Sequence, residues 1–198
     1  MSQFEIVTIT FSFVLGVSMS NLLSASAAVV RARREVQLHW LPLTWAACIL
    51  FQHVVFWFSA LSINLKIESW SWSWYLSVLL LAMLLFTSGA LILPTEATQR
   101  AGDLMRDFRE HGRLALLPNA VYQLLWIPVT FRLGATMLSV GTLANALLMG
   151  LALVAFRARS IRVQSITVLS FAAVLTWAAV FVWNSGALLG GGVRASVP

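Results

Sequence analysis

The chain has 198 residues, 60% of them hydrophobic and only 10% charged, with a mean hydropathy of +0.86 and a formal net charge of +6. A soluble domain carries about 25% charged residues, so this composition excludes an ordinary soluble domain and fits a surface that faces lipid. The lone cysteine, Cys48, excludes an internal disulfide and a paired-thiol redox centre.

Six apolar runs cover residues 4–27, 41–61, 73–93, 114–131, 135–156 and 161–183. Each is close to the roughly 20 residues that carry a helix across hydrocarbon. A spanning segment has to pair its backbone groups internally, so each run is expected to be a helix. The predicted fold is an all-α membrane protein with one domain over residues 1–198. It is a bundle of six transmembrane helices with one cytoplasmic amphipathic helix at about 96–111 and a flexible tail at 186–198.

The first run places Ser12, Gly16, Ser20 and Ser24 at i+4 spacing, with Asn21 beside them. Small residues so spaced let two helices approach closely in lipid, which predicts a helix-packing ridge. Ser24-Ala25-Ser26-Ala27 has the look of a signal-cleavage site. The start of the chain, Met1 to Glu5, carries one negative charge and no positive charge, which predicts an uncleaved first helix instead.

After Arg31, Arg33 and Arg34, the second run opens with His39, Trp40 and Pro42 and holds Gln52 and His53 near its centre. The next connection carries Lys66 and Glu68, then Trp70, Trp72 and Trp74, which read as an interfacial aromatic belt. Between the third and fourth runs, Ala101, Leu104, Met105 and Phe108 form the narrow apolar stripe of the amphipathic helix. There Arg106 and Glu110 are spaced to pair, and Asp103 and Asp107 are expected to pair with nearby arginines. Pro118 predicts a kink or late start for the fourth run, which also holds Tyr122 and Gln123. The fifth run has a second small-residue ridge, Thr142, Ala146 and Gly150, with Asn145 beside it.

Ten arginines fall in the first, third and fifth connections, against three basic residues (Lys66, Arg132 and Arg194) on the other side. This is the positive-inside pattern, so both termini are expected outside. Basic residues confined to helix ends also argue against a nucleic-acid partner.

Several stretches resemble a family of small bacterial multi-spanning inner-membrane proteins with no assigned function. They are Phe13-Val14-Leu15-Gly16 with Ser20, Leu22 and Leu23; Arg33-Arg34 followed by Leu38-His39-Trp40-Leu41-Pro42 and Trp45; Gln52 with Phe56-Trp57; and Leu91 to Pro94 followed by Asp103-Leu104 and Phe108-Arg109. The resemblance covers the first half to two-thirds of the chain. It implies a bacterial inner-membrane location and no chemistry.

With each run centred in the bilayer, Gln52, His53, Tyr122, Gln123 and Asn145 fall near the midplane and have hydrogen-bonding groups that lipid cannot satisfy. They are expected to line a pathway, with Asn21 on the first helix as a further polar candidate. No Asp or Glu lies deep in a run, which argues against a carboxylate-driven antiporter. Too few histidines and carboxylates are present for a zinc site or a nucleophilic triad, so neither an enzyme nor a bound cofactor is expected.

The leading expectation is a small transporter or channel for an ion or small polar solute, working in the bilayer as a homo-oligomer. On that reading, replacing His53 or Gln123 by leucine abolishes flux. The alternative is a non-catalytic membrane subunit or assembly factor that binds another membrane protein. A third reading is a haem- or quinone-binding redox subunit, prompted by His39 and His53 lying fourteen residues apart on one helix.

Overall fold

An apolar run in lipid has to pair its backbone groups internally, and in this protein each run forms a helix. The computed structural model describes residues 3–34, 37–66, 70–94, 103–134 and 136–184. In chain order the helices are α1 (Gln3–Arg31), α2 (Trp40–Lys66), α3 (Trp72–Ile92), α4 (Leu104–Glu110), α5 (Leu116–Arg132), α6 (Val140–Arg157) and α7 (Ile161–Asn184). All but α4 belong to segments long and apolar enough to cross a membrane, as a multi-pass membrane protein requires.

Two boundaries differ from expectation. The fifth run, expected from residue 135, becomes helical only at Val140. Ser139 stops it there as an N-cap whose hydroxyl accepts from the Thr142 amide at 3.3 Å, while the Thr142 hydroxyl donates to the Thr136 carbonyl at 3.1 Å. The fourth span begins with a 3-10 turn, Gly112–Ala115, which leads into α5 so that Pro118 falls in the first α-helical turn. A proline is tolerated there because the amide it lacks has no partner in any case.

The segment expected to be helical at 96–111 contains α4; its residues 96–102 lie outside the described residues, as does the tail at 186–198. Asp103 caps α4 by accepting from the amides of Met105 and Arg106 at 2.8 and 3.3 Å. Leu104, Met105 and Phe108 are buried under the bundle in the same apolar core as Leu41, Trp45 and Ile92. Arg106 pairs with Glu110 at 2.9 Å as the spacing predicts. Among the described residues Asp107 pairs with no arginine; its partner is His111, at 3.3 Å and one turn on.

The helices close a ring. α3 packs on α5, α5 on α6, α6 on α7, α7 on α2, and α2 on α3, while α1 lies against α2 and α3 from outside. One end of the bundle carries the arginine-rich connections. There the chain near Gln37 meets the start of α4, with the Leu104 amide donating to the Gln37 carbonyl. At the other end, Arg132 donates to the Ser73 hydroxyl at 3.1 Å and stacks over Trp74 at 4.1 Å, tying the end of α5 to the start of α3.

The interior is two apolar cores stacked along the bundle axis. The core nearer the arginine-rich end includes Leu22, Trp45, Ile49, Ile92, Ala120, Leu148 and Phe171, so every spanning helix contributes to it. The far core includes Phe11, Leu15, Phe56, Val78, Leu85, Tyr122 and Trp126, and among the described residues its buried members come from α1, α2, α3 and α5. One group of buried polar residues sits where the two cores meet: Ser18 between Leu15 and Leu22, Gln52 and His53 between Ile49 and Phe56, Ser88 between Leu85 and Ile92, and Asn119 one turn before Tyr122 and Gln123.

Candidate functional site

Gln52 and His53 are consecutive on α2, so they leave the helix about 100° apart and meet different neighbours. His53 turns toward α1 and α3. Its Nδ1 lies 2.7 Å from the Ile49 carbonyl and its Nε2 lies 2.7 Å from the Ser18 hydroxyl. A carbonyl only accepts, so Nδ1 carries the proton; in the neutral ring Nε2 accepts from Ser18. Gly89 on α3 closes over this pair. A Cβ there would stand 3.2 Å from Ser18 Oγ and 3.7 Å from His53 Cε1, so a larger residue crowds the bond.

Gln52 turns toward α5. The Asn119 Nδ2 donates to Gln52 Oε1 at 2.6 Å, within a buried setting. Two amides can exchange two hydrogen bonds, but this pair makes one. Gln52 Nε2 and Asn119 Oδ1 are both buried and unmatched. Reversing both amides would still leave one orphan atom on each. An unmatched polar atom in such a place costs about 1–3 kcal/mol, which marks the pair as incomplete.

Next to Gln52 the far core is missing its α6 and α7 side. In its place is a cleft of about 460 Å³ between α2, α5, α6 and α7. Gln52, Tyr122, Gln123 and Asn145 all line it, along with apolar residues including Phe51, Phe58 and Leu175, and among the described residues no charged side chain does. From Gln52 it extends along α2 as far as Ile63, about 17 Å at 1.5 Å per residue, toward the end where α5 stops at Arg132. In the other direction it is shut by the all-helix core, where the Trp45 and Phe171 rings meet at a tilt with centroids 4.9 Å apart. Phe56 meets Tyr122 and Trp126 edge-on at 6.2 and 6.0 Å, holding α2 and α5 together along one wall.

Four of the five residues grouped by depth in the sequence thus share one cleft. His53 does not; it faces away with both ring nitrogens engaged. Asn21 is also elsewhere, exposed on the outer side of α1 with Gly16, Ser20 and Ser24. Within one chain this ridge packs against almost nothing. Gly16 has no atom within 4 Å of where a Cβ would be, and only Ser12 has a partner, accepting from Trp57 Nε1 at 3.2 Å. The second ridge divides: Thr142 is buried in the cap of α6, Ala146 is exposed, and Gly150 has open space at its Cβ position.

Ser18, Gly89 and Asn119 belong to the polar layer and escape a reading by midplane depth and residue type. The signal for Asn119 was its place one turn before Gln123, on the same face as a polar neighbour. Ser18 gave none, because serine is common along α1. Among the described residues no three His, Cys, Asp or Glu side chains converge as a metal site would need. His39 is engaged separately, its Nδ1 accepting from the Leu41 amide at 3.2 Å.

Comparison with protein-family models, with curated proteins and with solved structures gives no match. The functional reading therefore rests on the cleft itself.

Proposed function

We propose that the protein is a multi-pass membrane carrier for a small uncharged molecule, with the cleft between α2, α5, α6 and α7 as its binding site. The observation that carries this is a cavity with a closed inner end and a polar floor. Gln52, Tyr122, Gln123 and Asn145 line it, and no charged side chain does among the described residues. A cavity shut at one end by packed side chains fits a carrier that must rearrange better than a standing channel. A lining without charge favours a neutral solute over an ion, since a bare ion there would lack a counter-charge. On the positive-inside rule the arginine-rich end lies in the cytoplasm, both termini lie outside and the cleft opens outward. The resemblance in the first half to two-thirds of the chain supports a bacterial inner membrane.

The test is solute flux in proteoliposomes of purified protein, using urea and glycerol as neutral probes beside proton and potassium gradients. Neutral-solute flux that Gln123→Leu removes supports the reading. Flux of ions alone, or neutral flux that ignores Gln123, sinks it.

A second reading, a non-catalytic subunit or assembly factor, is favoured by the outward ridge of α1, where Gly16 and Ser20 leave a shallow groove with Ser12, Phe13, Val17 and Asn21. Such a groove suits a helix of a second copy or of another membrane protein. Mild-detergent purification separates the cases: a stoichiometric foreign protein supports the subunit reading, a pure homo-oligomer supports self-association, and a monomer removes both.

A further inference from the structure

Resting on the reading of the cleft as a binding site, we infer that its ligand is an uncharged amphiphile that enters from the lipid: an apolar chain carrying a hydroxyl or carboxamide head. Three observations lead there.

The first is the head-group position. Gln52 lines the cleft, is 2% exposed, and has one amide atom bonded to Asn119 and the other bonded to nothing. A buried amide with a spare valence beside a cavity is a recognition point for a group that can give or take a hydrogen bond. Hydroxyl and carboxamide heads do both, whichever way the Gln52 amide is turned. Gln123 and Asn145 stand in the same lining as further polar partners. A carboxylate or ammonium head would be buried without an opposite charge, which the lining does not offer.

The second is the body of the cleft. Its walls are mostly apolar, and its volume of about 460 Å³ lies inside the roughly 300–1,000 Å³ typical of sites for small organic molecules. It occupies the place where α6 and α7 would otherwise complete the far core. α7 presents Ala178 and Ala179 to it, so its own side chains do not fill the space.

The third is the side opening. Phe51, Val54 and Phe58 of α2 and Val180 of α7 line the cleft and are among the exposed large apolar side chains. A rim of this kind is matched to acyl chains, so the route in is sideways from the bilayer.

The experiment uses the full-length protein in phosphatidylcholine nanodiscs and the probes ω-bromododecanol, ω-bromododecanoate and bromododecane. Bromine quenches tryptophan on contact, and Trp126 lines the cleft. Subtracting a Trp126→Phe variant isolates its signal. Saturable quenching by the alcohol is expected, about tenfold weaker for the carboxylate. Gln52→Leu should weaken the alcohol about fivefold, as loss of one neutral hydrogen bond does, and leave bromododecane unchanged. Ala179→Trp, read against the Ala179→Trp, Trp126→Phe double variant so that the added indole subtracts out, fills the cleft, spares the amide pair and should abolish saturation by every probe. Quenching that is linear in probe, equal for the three heads and untouched by Ala179→Trp overturns the inference, the chain then merely partitioning into lipid. Should Gln52→Leu fail to fold, the head-group series on the wild type and Ala179→Trp decide alone. Saturable binding without flux of any solute defeats the carrier reading and leaves this one standing. Flux without saturable binding does the reverse.

Discussion

The Ser18 hydroxyl lies 2.7 Å from His53 Nε2, and the Ile49 carbonyl holds the opposite ring nitrogen at the same distance. One serine on α1 therefore completes a fully buried imidazole on α2. Removing it leaves Nε2 unmatched in an apolar interior. Ser18→Ala should lower stability by about 1 kcal/mol, within the range of interhelical hydrogen bonds in membranes. His53→Leu removes the orphan along with its partner, because the freed Ser18 hydroxyl can turn to a carbonyl of its own helix. In a double-mutant cycle read by thermal unfolding in detergent, the double variant should therefore be less destabilised than the sum of the two single ones. Strict additivity would mean that the bond contributes nothing.

The same junction depends on a close approach at Gly89, in contrast to Gly16 on the outside of α1. A leucine at Gly89 has to displace Ser18 Oγ and His53, so Gly89→Leu should cost about 1–3 kcal/mol through overpacking. Gly16 meets open space, so Gly16→Ala should be neutral or stabilise by up to about 1 kcal/mol, as alanine does in a helix. Should the α1 ridge join two copies, the bulkier Gly16→Leu would lower the oligomer mass by light scattering and leave the unfolding temperature of the monomer unchanged. An unaltered mass would remove α1 as the contact.

The six spans were legible because continuous apolar stretches of that length admit one backbone solution in lipid. Their partners were not. Gln52 and His53 look equivalent by depth and polarity, yet one helical step sends one to α5 and the other to α1 and α3. Only the packing order of the helices separates them, and single-chain periodicity does not encode it. Ser18 was hidden for a related reason. It lies two residues from both Gly16 and Ser20, about 200° round the helix, so the visible ridge pointed away from the serine that matters. The late start of α6 was missed because Thr142 was read as part of a ridge, whereas its hydroxyl serves the cap formed with Ser139 and Thr136.

Asp107 gives a pH dependence. Burial under the bundle raises its carboxyl above the ordinary carboxylate range, with His111 pulling in the opposite sense. A group that holds its proton more tightly when folded gives the folded state more bound protons. Its contribution to stability is therefore present at low pH and lost as pH rises through the raised value. Asp107→Asn abolishes that loss. The variant should unfold at a higher temperature than the wild type near pH 7, and the gap should narrow on acidification toward about pH 4. A variant less stable than the wild type at neutral pH would mean that the pairing with His111 outweighs the burial.

The arrangement of α2 also separates two substitutions that depth alone would equate. Gln123 is buried in α5, lines the cleft and stands one turn from Asn119, whereas His53 contributes nothing to the lining. Gln123→Leu adds no charge, keeps nearly the same volume and removes the amide from the polar floor. It should reduce carrier flux at least tenfold while leaving the unfolding temperature within a few degrees of wild type. Asn145→Leu acts from the facing helix and should follow it in direction. His53→Leu, on the other side of α2, should keep most of the flux and show its effect in stability. Measured side by side in proteoliposomes, the three variants decide where the pathway runs. Flux lost with His53 and kept without Gln123 would move it out of the cleft and into the α1–α2–α3 junction.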